Sequence, residues 1–288
     1  MECELWNRLY ELIRETAKTC RRTGVHFSDA VILTVFLWAA LHDRPVKWAC
    51  QMKNWHGTRQ RPVQLPSETT MSRRLATPSV SVFQGALEQR IRGTGDAGLV
   101  QLIDGKSLTV GGCSKDRDAR PGRAASGMGR GYKLYVIWGH RGVFPEVWDV
   151  RSLNVNEVAV AYDLVPRLTG EGYLLGDTQY DSNRLYDLCW SQHRQLIAPR
   201  VSTAKGFGHH YQSPHRRHAL EMLTRSFGQQ LWALRTGIER LFGNCASFGG
   251  GLAPLPAWVR RLHRVKRWVW AKLVINANRI QLSQRLTA

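Results

Sequence analysis

LVQLIDGKSLTV (99–110) is an apolar run broken in its middle by an aspartate, a glycine and a lysine. Leu99 to Ile103 reads as a buried strand, and Asp104 stands where such a strand emerges at a sheet edge and faces a crevice. GYLLGDTQYDS (172–182) repeats the pattern, with Tyr173 to Leu175 preceding Gly176 and Asp177. LWALRTGIERLFG (231–243) differs, because Leu231, Leu234, Ile238, Leu241, Phe242 and Cys245 recur at helical spacing and put Glu239 on the border of that stripe. A helix then brings a third carboxylate to two strand ends. Hard divalent cations take oxygen ligands, and two of them about 3.5–4 Å apart serve phosphodiester chemistry. Any one of these carboxylates alone reads as a turn residue or a surface ion pair. Their shared strand, strand, helix placement points to a metal site.

Working outward, YKLYVIWGH (132–140) and VFPEVWDVRS (143–152) read as two further strands, and NEVAVAYDLVPRL (156–168) as a helix. GYLLGD is a fourth strand, SNRLYDLCWSQH (182–193) a second helix and RQLIAPRV (194–201) a fifth strand, before the helix of Glu239. The order predicts an α/β fold, an RNase H-like mixed five-stranded sheet flanked by helices. Its first and fourth strands sit side by side, which makes Asp104 and Asp177 neighbours. Gly111 to Gly131, carrying Lys115, Arg117, Arg120, Arg123 and Arg130, reads as a disordered hairpin tip or a DNA clamp.

Residues 1–95 predict a small all-α domain with amphipathic stretches near Leu5 to Arg22, Ser28 to Leu41, Val46 to Asn54 and Val80 to Arg90. LPSETTMSRRLA (65–76) offers Ser67 as an N-cap and sets Arg73 and Arg74 on an outer face, as a DNA-recognition helix of helix-turn-helix type would. Short helices of ordinary all-α domains share that appearance. The expected division is a DNA-binding domain over 1–95, a catalytic domain over 96–250, and a basic helix over 251–288 packed on the catalytic domain.

The formal net charge is +19 and the pI about 10.3, which predicts a polyanionic partner. Glu239 is the last acidic residue, and after it come Arg240, Arg260, Arg261, Arg264, Lys266, Arg267, Lys272, Arg279 and Arg285. Such a tail binds phosphates with strong salt dependence. Trp258, Trp268 and Trp270 stand among these cations and read mainly as core. The six cysteines form no CxxC pair, and the cluster His209, His210, His215 and His218 contains Arg216 and Arg217, so a basic DNA-facing loop is favoured over zinc. The start lacks a signal-peptide pattern and the longest apolar run, Ala30 to Leu41, is too short to span a membrane. A soluble cytoplasmic protein, nucleoid-associated in a bacterium, is expected.

With that order in hand the chain resembles a DDE transposase of a bacterial insertion sequence, in the group whose signature is Tyr, two residues, Arg, three residues, Glu, six residues, Lys. Arg235 and Glu239 match; Trp232 holds the Tyr position and Ala246 the Lys position. IDGK (103–106), Gly131 to Lys133, Tyr180-Asp181-Ser182 after Asp177, and IERLFG (238–243) also match, so that the resemblance covers roughly residues 98 to 250. It implies DNA cleavage and strand transfer with two Mg²⁺ (or Mn²⁺) ions on Asp104, Asp177 and Glu239. DNA contacts are implied at Lys106, Lys133 and Arg235. The partners implied are double-stranded DNA, as terminal inverted repeats and target, and a second copy of the chain in a homodimer. Ser202 to Ser226 leaves no room for the large β-rich insertion of some members. A nuclease without strand transfer and a non-catalytic DNA-binding relic are the rival readings.

Overall fold

The computed structural model describes residues 2–20, 24–93, 98–125, 127–201, 210–246, 251–252 and 254–287. Arg22, the span Ser202 to His209 and the side chain of Arg285 lie outside the described residues. The chain divides into two compact units. One comprises Met1–Thr94, Cys245–Leu252 and Arg267–Ala288, the other Gly95–Asn244 and Ala253–Lys266.

The first unit is helical: α1 (Glu2–Thr19), α2 (Asp29–Leu41), α3 (Val46–Ala49), α4 (Glu68–Arg74) and α5 (Pro78–Arg92). Helix α2, DAVILTVFLWAAL, is apolar on every side, and a helix of that kind must be enclosed. Residues 32 to 40 are all buried. Trp38 is the hub, its ring centroid 4.7 Å from Trp6 and 4.9 Å from Trp55. Ser67 caps α4 by accepting from the Thr70 N–H, as the sequence predicts. Most of the final helix, α11 (Leu262–Thr287; α6 to α10 follow below), belongs to this unit and not to the α/β unit expected to receive it. The reason is apolar area: Val269, Leu273 and Ile275 are buried, as are Trp268 and Trp270. Lys272, 1% exposed, donates to the Ala40 carbonyl at 2.7 Å and to Asp43 at 2.6 Å, while Arg8 reaches Asn278 at 3.3 Å. Trp258 alone of the three tail tryptophans is substantially exposed.

The second unit carries a six-stranded mixed sheet flanked by helices, an RNase H-like arrangement. Strand β1 (Val100–Thr109) pairs antiparallel with β3 (Gly127–Gly139), from Gln101 opposite Gly139 to Thr109 opposite Gly131. The other edge of β3 carries β2 (Arg120–Ala124) on its first part and β4 (Val147–Ser152) on its second. On its far side β1 pairs parallel with β5 (Gly172–Leu175), which pairs parallel with β6 (Arg194–Ile197). Between them run α6 (Glu157–Leu164) and α7 (Asn183–Ser191), followed by α8 (Pro214–Thr224), α9 (Ser226–Ala233) and α10 (Gly237–Ala246). The parallel centre is buried on both faces, as apolar strands require, with Leu102, Ile103, Leu174, Leu175, Leu196 and Ile197 all shut away from solvent. Arg194 is buried there because its guanidinium binds the Gln101 side chain and the Thr169 carbonyl.

Two expectations change. The sheet has six strands, because Gly111 to Gly131 contributes β2 and the start of β3. Arg130 in that segment, though exposed, is tied down by donating to the carbonyls of Ser114, Asp116 and Ala119. The described part of the supposed loop after β6 is largely α8, whose Ser213 cap accepts from the His215 and Arg216 N–H groups. Among the described residues no helix is long and apolar enough to cross a membrane.

The β1–β3 pairing depends on a glycine that lets the two backbones touch. A Cβ at Gly131 would lie 2.3 Å from the Leu108 carbonyl oxygen. Gly131→Ala is therefore expected to destabilise the protein by about 1–3 kcal/mol, because backbone, unlike a flexible side chain, has nowhere to move. A chemical-denaturation midpoint close to that of the parent protein would refute this.

Candidate active site

Register brings the two aspartates together. Leu102 lies opposite Leu175 in the last parallel rung, and Asp104 and Asp177 each lie two residues beyond it. Asp104 is not at the end of its strand: β1 continues to Thr109 against β3, and only the parallel pairing stops. The crevice exists because β5 ends while β1 goes on. Asp177 leaves β5 as the cap of the turn Thr178–Tyr180, its Oδ1 accepting from the Gln179 N–H at 2.8 Å. Gly176 fits only because it lacks a side chain, since a Cβ there would meet the Tyr180 ring at 2.9 Å.

Arg235 joins the pair. Its Nη2 lies 3.2 Å from Asp104 Oδ2 and 3.8 Å from Asp177 Oδ2, and its Nε is buried without a hydrogen-bond partner among the described residues. The helix read through 231–245 is broken: α9 ends at Ala233, a 3-10 turn covers Leu234–Thr236, and α10 starts at Gly237. That break exposes Leu234 and swings Arg235 toward the aspartates; no ion pair between Arg235 and Glu239 is found among the described residues. Trp232 anchors the segment by donating Nε1–H to the Gly176 carbonyl at 3.2 Å, one residue before Asp177.

Asp104 and Glu239 line one cavity of about 460 Å³, together with Lys106, Lys133 and Arg123. Glu239 is exposed, on the solvent side of a helix whose Ile238, Leu241, Phe242 and Cys245 are buried. Burial pushes the Asp104 carboxyl up to about 6; the Gly105 N–H and Arg235 pull it down, while Asp177 and Glu157 push it further up. Lys133 lies along the face of Gly105, where a Cβ would be 2.7 Å from its Cδ, and pairs with Glu157 at 2.6 Å.

Glu157 is a fourth carboxylate beside the site that the sequence reading missed. Its signal was Asn156-Glu157 opening a helix directly after a strand: Asn156 caps α6, fixing Glu157 in the first turn. In the sequence Arg123 is one cation in a run, with nothing local to mark it. Of the recognition-helix arginines, Arg73 is exposed. Arg74 is turned inward, bound to Asp29 and to the Phe27 carbonyl, because Asp29 is itself buried and needs a counter-charge. It is a tie within the helical unit and not part of an outer face. His215 stacks on Trp190, and Arg216 binds Asp181, so neither belongs to a free basic loop.

Among the described residues no three His, Cys, Asp or Glu side chains form a ready metal-binding group. The donor chemistry nevertheless fits a hard divalent ion: Asp104 and Asp177 already share one cation, the Arg235 guanidinium, and every candidate donor is an oxygen.

Two aspartates thus follow the last parallel rung of an RNase H-like sheet, and a glutamate lies on a later helix. Residues 96–275 match the family model described as the transposase DDE domain, and the chain belongs to the DDE transposases, a family of DNA-cutting enzymes. No curated protein and no solved structure matches the chain.

Proposed function

We propose that this transposase cuts DNA at the ends of an insertion sequence and joins the freed 3′-hydroxyl to target DNA. Asp104, Asp177 and Glu239 would hold two Mg²⁺ or Mn²⁺ ions. The observation that carries this reading is the sharing of one guanidinium by Asp104 and Asp177, residues 73 positions apart, with Asp104 lining a cavity that Glu239 also lines. When bound, such ions activate the attacking oxygen and neutralise charge on the departing one.

The chain's own residues have separate tasks. The Asp104 carboxyl, pushed up to about 6 by burial, is largely ionised at neutral pH and would be ready to hold a cation. Asp177 is held in place by the Gln179 N–H and, through Gly176, by Trp232. Lys106 and Lys133 present positive charge to a DNA strand in the cavity. Arg235, relieved of the carboxylates, turns its guanidinium to a phosphate oxygen. Arg73, on the exposed side of α4, contacts duplex DNA, and two copies of the chain hold two element ends in a homodimer.

Plasmid nicking by the purified protein in Mg²⁺ or Mn²⁺ at low salt tests the site, with Asp177→Ala and Glu239→Gln as controls. Each variant is expected to lose nicking by about a hundredfold or more while still binding DNA, because the ions supply several kcal/mol at the transition state. Nicking retained in both would sink the assignment. Joining of a cut 3′ end to a second duplex separates a transposase cycle from simple hydrolysis.

A further inference from the structure

The hairpin formed by β2 and the first half of β3 has two unlike faces. Arg123 pairs with Met128 and Pro121 with Arg130, so these four side chains lie on one face. Gly122, Gly129 and Gly131 lie on the other. The glycine face sits flush on its surroundings: a Cβ at Gly122 would be 2.5 Å from the Leu153 carbonyl oxygen, and one at Gly129 3.2 Å from the Thr109 methyl. Arg130 ties the base down through three carbonyls, and the Leu153 N–H donates to the Gly131 carbonyl at 3.0 Å. The hairpin is thus seated firmly at its base, and its outer face carries a cation and a thioether near the tip.

Met128 is 79% exposed, and Arg123 beside it lines the cavity of Asp104 and Glu239. A solitary exposed apolar side chain is ordinary on a protein surface. Here it neighbours an arginine of the cleavage cavity on a braced hairpin, in a chain of net charge +19. Resting on the reading of that cavity as a DNA-cutting site, we propose that the β2–β3 tip is a DNA wedge. Arg123 grips a backbone phosphate next to the bond to be cut, and Met128 enters the adjacent base step and unstacks it. Flexible apolar side chains, methionine among them, serve as such wedges between base steps. Unstacking separates one strand from its partner, which a cavity walled by Arg123, Lys106 and Lys133 then receives as a single backbone.

The test is fluorescence of 2-aminopurine placed near the end of a short duplex, read at saturating protein, at low salt and without divalent metal. The wild type is expected to raise the signal severalfold; Met128→Ala is expected to lose most of that rise, and Met128→Leu to keep it. Arg123→Ala is expected to need more protein to saturate the same duplex. No rise with the wild type, or an equal rise with Met128→Ala, overturns the wedge. Failure of the cutting site reads differently: a wild type that unstacks the duplex without nicking a plasmid in Mg²⁺ or Mn²⁺ keeps the wedge and loses the chemistry.

Discussion

Asp104→Asn is expected to give a folded protein that binds DNA, does not nick it, and melts at a higher temperature than its parent above pH 6. The loss of cutting follows from removing a proposed metal ligand. The gain in stability follows from burial. The Asp104 carboxyl titrates at about 6 in the folded protein against an ordinary 3.8, so folding favours its protonated form. The sign is that of a raised pKa: the stability is fully present below 3.8 and is lost as pH rises through 6. At neutral pH the ionised group costs about 1–3 kcal/mol, an upper range because Asp104 retains some exposure. The asparagine amide still accepts from the Gly105 N–H and carries no charge. The two melting curves should converge below the pH at which Asp104 titrates and separate above it. Added Mg²⁺ should raise the parent's melting temperature and leave the variant's unchanged. A variant less stable than the parent at neutral pH would show that burial is not what sets the Asp104 carboxyl.

Arg216→Ala is expected to cost about 3–5 kcal/mol of stability, because it strands a buried carboxylate. Arg216 binds Asp181 through Nε at 2.6 Å and Nη2 at 2.7 Å, and Asp181 also accepts from the Val201 N–H at 3.1 Å. The Asp181 side chain is 2% exposed. Asp181 closes the turn that Asp177 opens, so the pair fixes a proposed metal ligand from its far side and nicking should fall along with stability. Adding Asp181→Asn to the same chain removes the stranded charge and should recover part of the loss. The measurement is the urea midpoint at unchanged slope. A shift below about 1 kcal/mol would mean that water reaches Asp181 once the arginine is gone.

The contrast between Arg216 and the site residues shows what was legible beforehand. Asp104, Asp177 and Glu239 stood out because apolar runs ending in a carboxylate, and a carboxylate beside a helical stripe, are local patterns. Arg216 and Arg130 looked like free cations because nothing local names their partners: Asp181 lies 35 positions from Arg216, and the carbonyls that Arg130 binds lie 11 to 16 positions back. Arg74 misled for the same reason, since Asp29 is 45 positions away.

Hydrophobic period, turn chemistry and net charge are written locally, so the mixed α/β fold, the order of its main strands, the cap at Ser67 and the basic character of the chain were legible before folding. Tertiary structure decided the rest. It added β2, broke the Glu239 helix so that Arg235 reaches two aspartates, placed Glu157 beside them and gave most of the last helix to the N-terminal unit. Each of these depends on which distant group satisfies a buried charge or covers an apolar face, and that is fixed only when the chain has closed on itself.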